Sequence, residues 1–287
     1  MGDVAVVELD GVGLRLVPTG ADAAPDEVAV ADPPAEAARI EAAVDANPHA
    51  AALLVSVLRR TLDLDVRTAL ELESLAYSTL LGGPEFATWL FRRGPRPVPP
   101  LVADPVRLTR DGDVLHVTLT RPERRNAYGA QVRDALVDAL AVALADPDVH
   151  VVLDGAGPCF CAGGDLDEFG TTPDPVTAHL IRTQAGAAWP LHQLAPRVEA
   201  RLHGPCIGAG IELPAFAGRV VAAPGTTFRL PELGMGLIPG AGGTVSLPRR
   251  IGVARTAYLV LSGAPLDLDT ALAWGLVDAL GGDDIST

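Results

Sequence analysis

Residues 104–287 predict an α/β domain. Strand-like apolar runs at Val114–Leu119, 149–153, Val198–Leu202 and 220–222 alternate with an amphipathic stretch at Ala130–Ala145 and with glycine-rich turns. The chain is 48% apolar over 287 residues, enough for a full core and too apolar for disorder over most of its length.

The N-terminal third reads differently. Apolar runs at 4–9 and 14–17 flank Asp10-Gly11, a turn signal that predicts a hairpin. An acidic Ala/Pro/Asp stretch at 21–34 reads as a linker, so 1–33 is taken as hairpin plus linker. Residues 34–97 are helical in pattern. Ala38, Ile40, Ala43 and Val44 recur at helical spacing until Asn47-Pro48 interrupts them. A second helix over 49–62 puts Leu53, Leu54, Val57 and Leu58 on one face. A third starts near Asp65, whose carboxylate can cap it, carries Ala69, Leu70, Glu73, Ala76 and Tyr77, and stops at Gly82-Gly83-Pro84. A short helix with Phe86, Trp89, Leu90 and Phe91 follows. The proline-rich run 94–100 is a stiff connection, with 98–103 leading into the core. In the core, Asp111-Gly112 joins strand-like 106–108 to Val114–Leu119.

Charge and residue usage exclude several functions. The net charge is −14, opposite in sign to a general nucleic-acid or anionic-membrane binder. All 22 cations are arginine, so lysine Schiff-base chemistry and a P-loop lysine are ruled out. Three cysteines, Cys159, Cys161 and Cys206, form no CxxC pair, which fits a reduced, cytoplasmic setting. No secretory leader pattern and no apolar run of spanning length is present. The six histidines show no metal spacing.

Four segments carry a chemical signal. Cys159-Phe-Cys-Ala-Gly-Gly-Asp-Leu166 follows a buried strand, and its paired glycines let backbone N–H groups approach a ligand closely. Gly204-Pro-Cys-Ile-Gly-Ala-Gly-Ile-Glu-Leu213 also follows a strand and opens a helix near Ala209, whose free amides suit an oxyanion. Phe228-Arg-Leu-Pro-Glu232 and Gly236-Leu-Ile-Pro-Gly-Ala-Gly-Gly-Thr244 complete the set. Gly208-Ala-Gly-Ile-Glu-Leu lacks the third glycine of a dinucleotide fingerprint.

Together with Arg121-Pro-Glu-Arg-Arg-Asn-Ala127 and Trp274-Gly-Leu-Val-Asp278, these segments resemble the crotonase superfamily, the enoyl-CoA hydratase/isomerase family, over somewhat more than half of the chain. The resemblance implies a spiral of ββα units and an acyl-CoA thioester as substrate, with no other cofactor. It implies an enolate stabilised by two backbone N–H groups, those of Gly164 and Ala209. It also implies two acids, Glu212 and Glu232, twenty residues apart as in the hydratases of the family. Paired carboxylates can hold a water between them and move the α-carbon proton, and their mutual repulsion keeps one of them protonated. Glu232 is assigned as principal acid/base and Glu212 as the water-positioning partner. The expected activity is hydration of a 2,3-enoyl-CoA. An enoyl-CoA isomerase, another lyase of this type and a non-catalytic acyl-CoA-binding protein are the alternatives.

Among the other acids, Asp165 reads as a cap for the next helix, and Asp167 and Glu168 as solvated. His203 reads as a hydrogen-bonded residue at a strand end. Arg124 and Arg125, with Arg92 and Arg93, are candidates for the CoA phosphates.

The order of the segments departs from the family. Gly275-Leu-Val-Asp278 is followed by only nine residues, whereas family members continue into further helices that cover the site and build a trimer. Residues 34–97 resemble that missing tail. The expectation is a circular permutation with the trimerisation helices placed N-terminal, Phe86, Trp89 and Phe91 buried against the core, Arg92 or Arg93 facing a CoA phosphate, and a homotrimer or dimer of trimers. No nucleic-acid or membrane partner is expected.

Overall fold

The computed structural model describes residues 4–9, 11–21 and 23–281. Asp10 of the expected turn, Asp22 of the expected linker and the last six residues lie outside them.

A six-stranded sheet carries the second half of the chain. Its strands are β4 (Val106–Asp111), β5 (Val114–Leu119), β6 (His150–Gly155), β7 (Val198–Leu202), β9 (Arg219–Ala222) and β11 (Ala279–Leu280), in the order β11-β9-β7-β6-β5-β4. Only β4 and β5 are antiparallel, joined at Asp111-Gly112. The parallel strands run from β5 to β11. Buried Val151, Leu153, Val198, Ala200 and Leu202 fill the centre, as the apolar runs require. Strands β8 (Pro205–Ile207) and β10 (Thr227–Arg229) form a separate parallel pair. Helices α5 (Ala130–Ala145), α6 (Pro175–Ala185) and α7 (Ala188–Leu194) precede β7. The short α8 (Ala209–Glu212) follows β8, and α9 (Gly243–Ile251), α10 (Val253–Ser262) and α11 (Leu268–Trp274) lie between β10 and β11. No described helix is long and apolar enough to cross a membrane.

The N-terminal region corrects one expectation. Strands β1 (Ala5–Leu9) and β2 (Val12–Pro18) form the hairpin, but the supposed linker contains a third strand, β3 (Glu27–Val30), parallel to β2. Val28 and Val30 alternate into the core and Glu27 pairs with Arg15 at 2.6 Å; the surrounding acidic and proline residues masked this period.

Four helices follow: α1 (Pro33–Ala46), α2 (Pro48–Thr61), α3 (Val66–Leu81) and α4 (Pro84–Arg93). Asp32 and Asp65 cap α1 and α3 by accepting from Ala35 N and Thr68 N, both at 3.1 Å. These helices are part of the same core. Helix α1 packs on β1, β2 and α10, α2 on α9 and α10, and α3 on α6, α7 and α9. Arg249 of α9 donates to the carbonyls of Thr61 and Leu64 at 2.7 Å each, tying the end of α2 to the sheet domain. Glu85 of α4 accepts from His49 N (2.7 Å) and Ala50 N (3.1 Å), closing the first turn of α2.

Helix α4 realises the expected burial in part. Phe86 is buried and Trp89 half-buried, but Phe91 is 88% exposed. Phe91 lies five residues past Phe86, about 140° around the helix, so it cannot share the face of Phe86, Trp89 and Leu90.

Candidate active site

Two glycine-rich loops are stitched together by backbone contacts. Ile207 N donates to Cys161 O at 3.1 Å. A Cβ on Gly210 would sit 2.1 Å from Cys161 O, so no other residue fits at that crossing. The first loop is held from behind by buried Asn126. Its Oδ1 accepts from Arg121 N at 2.8 Å, and its Nδ2 donates to the carbonyls of Ala156, Cys159 and Phe160 at 2.9–3.0 Å. The Arg-Pro…Asn-Ala motif therefore acts by shaping the loop that ends at Gly164.

Both Gly164 and Ala209 line a cavity of about 810 Å³. Neither backbone N–H has an acceptor among the described residues. In Gly164 the neighbouring groups do the pairing: Tyr128 N donates to Gly163 O at 2.7 Å and Asp165 N to Tyr128 O at 3.3 Å. Ala209 opens α8, where the first amides of a helix have no internal partner.

Glu212 and Glu232 line the same cavity and are buried. A Cβ placed on Gly208, the residue before Ala209, would meet Glu232 Oε1 at 2.7 Å and Glu212 Oε1 at 3.7 Å. The two carboxyl groups thus converge on one point of backbone beside the Ala209 amide. Glu212 is fixed through its other oxygen, Oε2, which accepts from Ala241 N (2.7 Å) and Gly243 N (3.0 Å). Glu232 Oε2 is buried without a partner among the described residues.

A third carboxylate, Glu73 of α3, completes the arrangement. Its oxygens accept from Gly242 N (2.7 Å), Thr244 N (2.8 Å) and Thr244 Oγ1 (2.7 Å). The amides of 241–244 are shared alternately, 241 and 243 to Glu212, 242 and 244 to Glu73. The sequence placed Glu73 on a helix and assigned it no role. Its only advance signal is an acid at a position whose helical neighbours Ala69, Ala76 and Leu80 are apolar and buried.

Burial raises all three carboxyl groups. Glu73 rises to about 7 and Glu232 to about 8. Burial also raises Glu212 well above the ordinary range, with the charges of Glu232 and Glu73 adding to it and the two amides opposing. The cluster therefore holds protons at neutral pH and titrates as a unit.

The four candidate arginines separate. Arg124 donates to Asp165 (2.6 and 2.9 Å) and Asp167 (2.8 Å), and Arg93 of α4 donates to Asp167 at 2.6 Å. Arg93 lines the cavity, while Arg92 and Arg125 are exposed. Asp165 is consequently buried in an ion pair and caps no helix; the next helix, α6, is capped by Asp174. Asp167 is bound by two arginines, and Glu168 accepts from Ala130 N (2.8 Å) at the start of α5, so neither acid is simply solvated. Near the Arg93–Asp167 pair, Trp89 of α4 meets the Phe169 ring edge-on with centroids 6.0 Å apart. His203 Nε2 sits 2.9 Å from Gly157 O, the strand-end role expected of it. Cys159, Cys161 and Cys206 are free and buried, and burial pushes the Cys161 thiol up to about 12, so it packs rather than reacts.

A sheet with two apposed glycine loops thus presents two free amides and two convergent buried acids to one cavity. Residues 109–284 match the enoyl-CoA hydratase/isomerase family. A probable enoyl-CoA hydratase of Mycobacterium tuberculosis is 36% identical over 187 residues, 64% of this chain and 72% of the relative. The 2,3-dehydroadipyl-CoA hydratase of Escherichia coli is 34% identical over 180 residues, 62% and 70% of the two chains. The structure of an enoyl-CoA hydratase/carnithine racemase from Magnetospirillum magneticum superposes with a TM-score of 0.58 at 29% identity, over 64% of this chain and 70% of that one. A putative enoyl-CoA hydratase from Thermobifida fusca, solved in complex with CoA, gives 0.56 at 30% identity, over 63% and 74%. The chain belongs to the enoyl-CoA hydratase/isomerase family and has the crotonase fold.

Proposed function

We propose that the protein is an enoyl-CoA hydratase that adds water across the 2,3 double bond of an acyl-CoA. The observation that supports this most is the convergence of Glu212 Oε1 and Glu232 Oε1 beside Gly208, next to the unpaired amide of Ala209 and across the loop contact from that of Gly164. In the proposed reaction the thioester oxygen lies between the two N–H groups, which take up the charge that develops there. Glu212, fixed by Ala241 and Gly243, positions the water. The water oxygen bonds to C3, the π electrons pass to C2 and the carbonyl, and Glu232 gives its proton to C2. The proton lost by the water returns to the glutamate pair, which ends with its original charge.

The test is hydration of crotonyl-CoA, followed by loss of the conjugated thioester absorbance. Glu232→Gln and Glu212→Gln are each expected to lower kcat by at least ~10²-fold, with a smaller effect on KM. Wild-type rates in both variants would overturn the acid/base assignment. Double-bond migration without hydration would make the protein an isomerase, and tight CoA binding without any turnover a binding protein.

The anionic end of CoA is proposed to lie along Arg92, Arg93, Arg124 and Arg125, the last two adjoining the loop that ends at Gly164. Helices α1–α4 are proposed to be the family's C-terminal helices moved in front of the core by circular permutation. Supporting this, Tyr77, Leu81, Phe86, Trp89 and Arg93 of α3 and α4 line the cavity that the core leaves open. Assembly as a trimer or dimer of trimers goes with that reading, and sedimentation equilibrium tests it. The buried, unpaired cysteines are consistent with the cytoplasm as the working compartment.

A further inference from the structure

One wall of the cavity carries a cation without a carboxylate partner among the described residues. Arg182 of α6 lines it beside Tyr77 of α3. The guanidinium lies over the Tyr77 ring, 4.5 Å from its centroid. Nε donates to Ser74 Oγ at 3.1 Å, and Nη2 donates to Ser74 O at 3.3 Å and to Ser78 Oγ. All three acceptors are neutral and lie on α3, so the group is held in place without being neutralised. Nη1 has no partner among the described residues, and neither does the Tyr77 hydroxyl. The Tyr77 ring is itself fixed against Gly240, where an added Cβ would come within 2.4 Å of it.

The nearby Glu73 acts on the guanidinium through space only and does not touch it. Its oxygens are taken by Gly242 and Thr244, and it makes no ion pair with Arg182. Burial is the largest influence on the guanidinium and acts against its charge. A purely apolar acyl chain packed here would cut both donors off from water with nothing to accept them, which is unfavourable. A carboxylate matches the fork of an arginine and can also accept a hydrogen bond from the tyrosine hydroxyl.

We propose that the acyl group this site selects ends in a carboxylate, the substrate being the CoA monothioester of an unsaturated dicarboxylic acid, with Arg182 and the Tyr77 hydroxyl as the specificity-determining contacts. This rests on the acyl-CoA reading of the site but not on the direction of the reaction. A site built to hydrogen-bond a polar group discriminates strongly against analogues that lack it.

The test measures binding of saturated thioesters, which cannot be hydrated, to the full chain by titration calorimetry. The pairs are succinyl- against butyryl-CoA, adipoyl- against hexanoyl-CoA and suberoyl- against octanoyl-CoA. For at least one pair the acidic thioester is expected to bind tighter by about tenfold or more, the scale of a charge-assisted hydrogen-bonded contact. Arg182→Met should abolish that ratio by weakening the acidic member alone. Tyr77→Phe, which keeps the ring on Gly240, should reduce it, and Arg182→Lys should retain part of it. A wild-type protein that binds the acidic member about tenfold tighter in none of the pairs would overturn the proposal. So would a ratio that survives in Arg182→Met, or an equal loss of both members, which marks a purely structural role. If the ratio behaves as expected while the unsaturated counterparts are not hydrated, the hydratase reading falls and the substrate class stands. If no thioester binds, both fall.

Discussion

Replacing Glu232 by Gln should lower kcat by at least ~10²-fold and flatten the decline of stability with rising pH. The folded protein holds the Glu232 carboxyl at about 8, against 4.5 for an unperturbed glutamate, because burial disfavours the charge and Oε2 finds no donor. The unfolded chain therefore releases a proton that the folded chain keeps. Stability is greatest below the unfolded value and declines as pH rises from 4.5 through about 8. Over that window the displacement corresponds to roughly 4 kcal/mol as an upper limit, since Glu212 and Glu73 share the charge. Gln cannot ionise, so the variant should lose that part of the decline. It keeps the smaller part from Glu73, which is raised to about 7. The orphaned amide of Gln costs about 1–3 kcal/mol at every pH, so the pH dependence and not the absolute stability is the readout. Urea unfolding of wild type and variant at pH 5 and pH 9 measures it. The wild type should weaken more between the two than the variant does. Equal slopes would show that Glu232 is not a protonated buried acid and would remove the basis for its role as proton donor. In the wild type the same titration should lower kcat for hydration as pH rises through about 8.

Three further outcomes are expected. Glu73→Ala leaves two buried N–H groups and a hydroxyl without an acceptor, so it should cost about 2–5 kcal/mol in urea unfolding and also lower kcat, because the interleaved amides of Ala241 and Gly243 lose their alignment on Glu212. Asn126→Ala frees the carbonyls of Ala156, Cys159 and Phe160. It should cost about 2–4 kcal/mol, with a fall in kcat larger than any change in KM, since the Gly164 amide is the group displaced. Deleting residues 1–100 removes Glu73, the cap on α2 and the apolar faces of α1–α4, and should give insoluble protein on expression; a soluble, active 101–287 fragment would contradict the dependence of the core on these helices.

The parts of this molecule legible in the sequence are those with a local signature. Strand runs such as Val198–Leu202 show their burial in their composition, Asp65 announces a helix start, and Asp111-Gly112 a turn. The glycine loops were visible because close backbone approach admits few residues, as Gly210 against Cys161 shows. What was not legible depends on distant partners. Glu73 lies 169 residues from Gly242, and nothing in α3 says that its carboxylate meets that loop. Asp165 reads as a helix cap and Asp167 as a solvated acid because their partners, Arg124 and Arg93, come from a turn after β5 and from the end of α4. Strand β3 was hidden by acidic and proline neighbours whose composition outweighed two alternating valines. Phe91 is exposed because it lies about 140° around α4 from Phe86, an angle that aromatic composition alone does not reveal.

In the proposed reaction two backbone amides and two carboxyl groups act on one thioester. A crystal structure with butyryl-CoA bound tests it most directly. The thioester oxygen is expected within hydrogen-bonding distance of both Gly164 N and Ala209 N, with C2 and C3 of the acyl chain between Glu232 and Glu212. A thioester seated elsewhere in the cavity, with those amides facing only water, would contradict it.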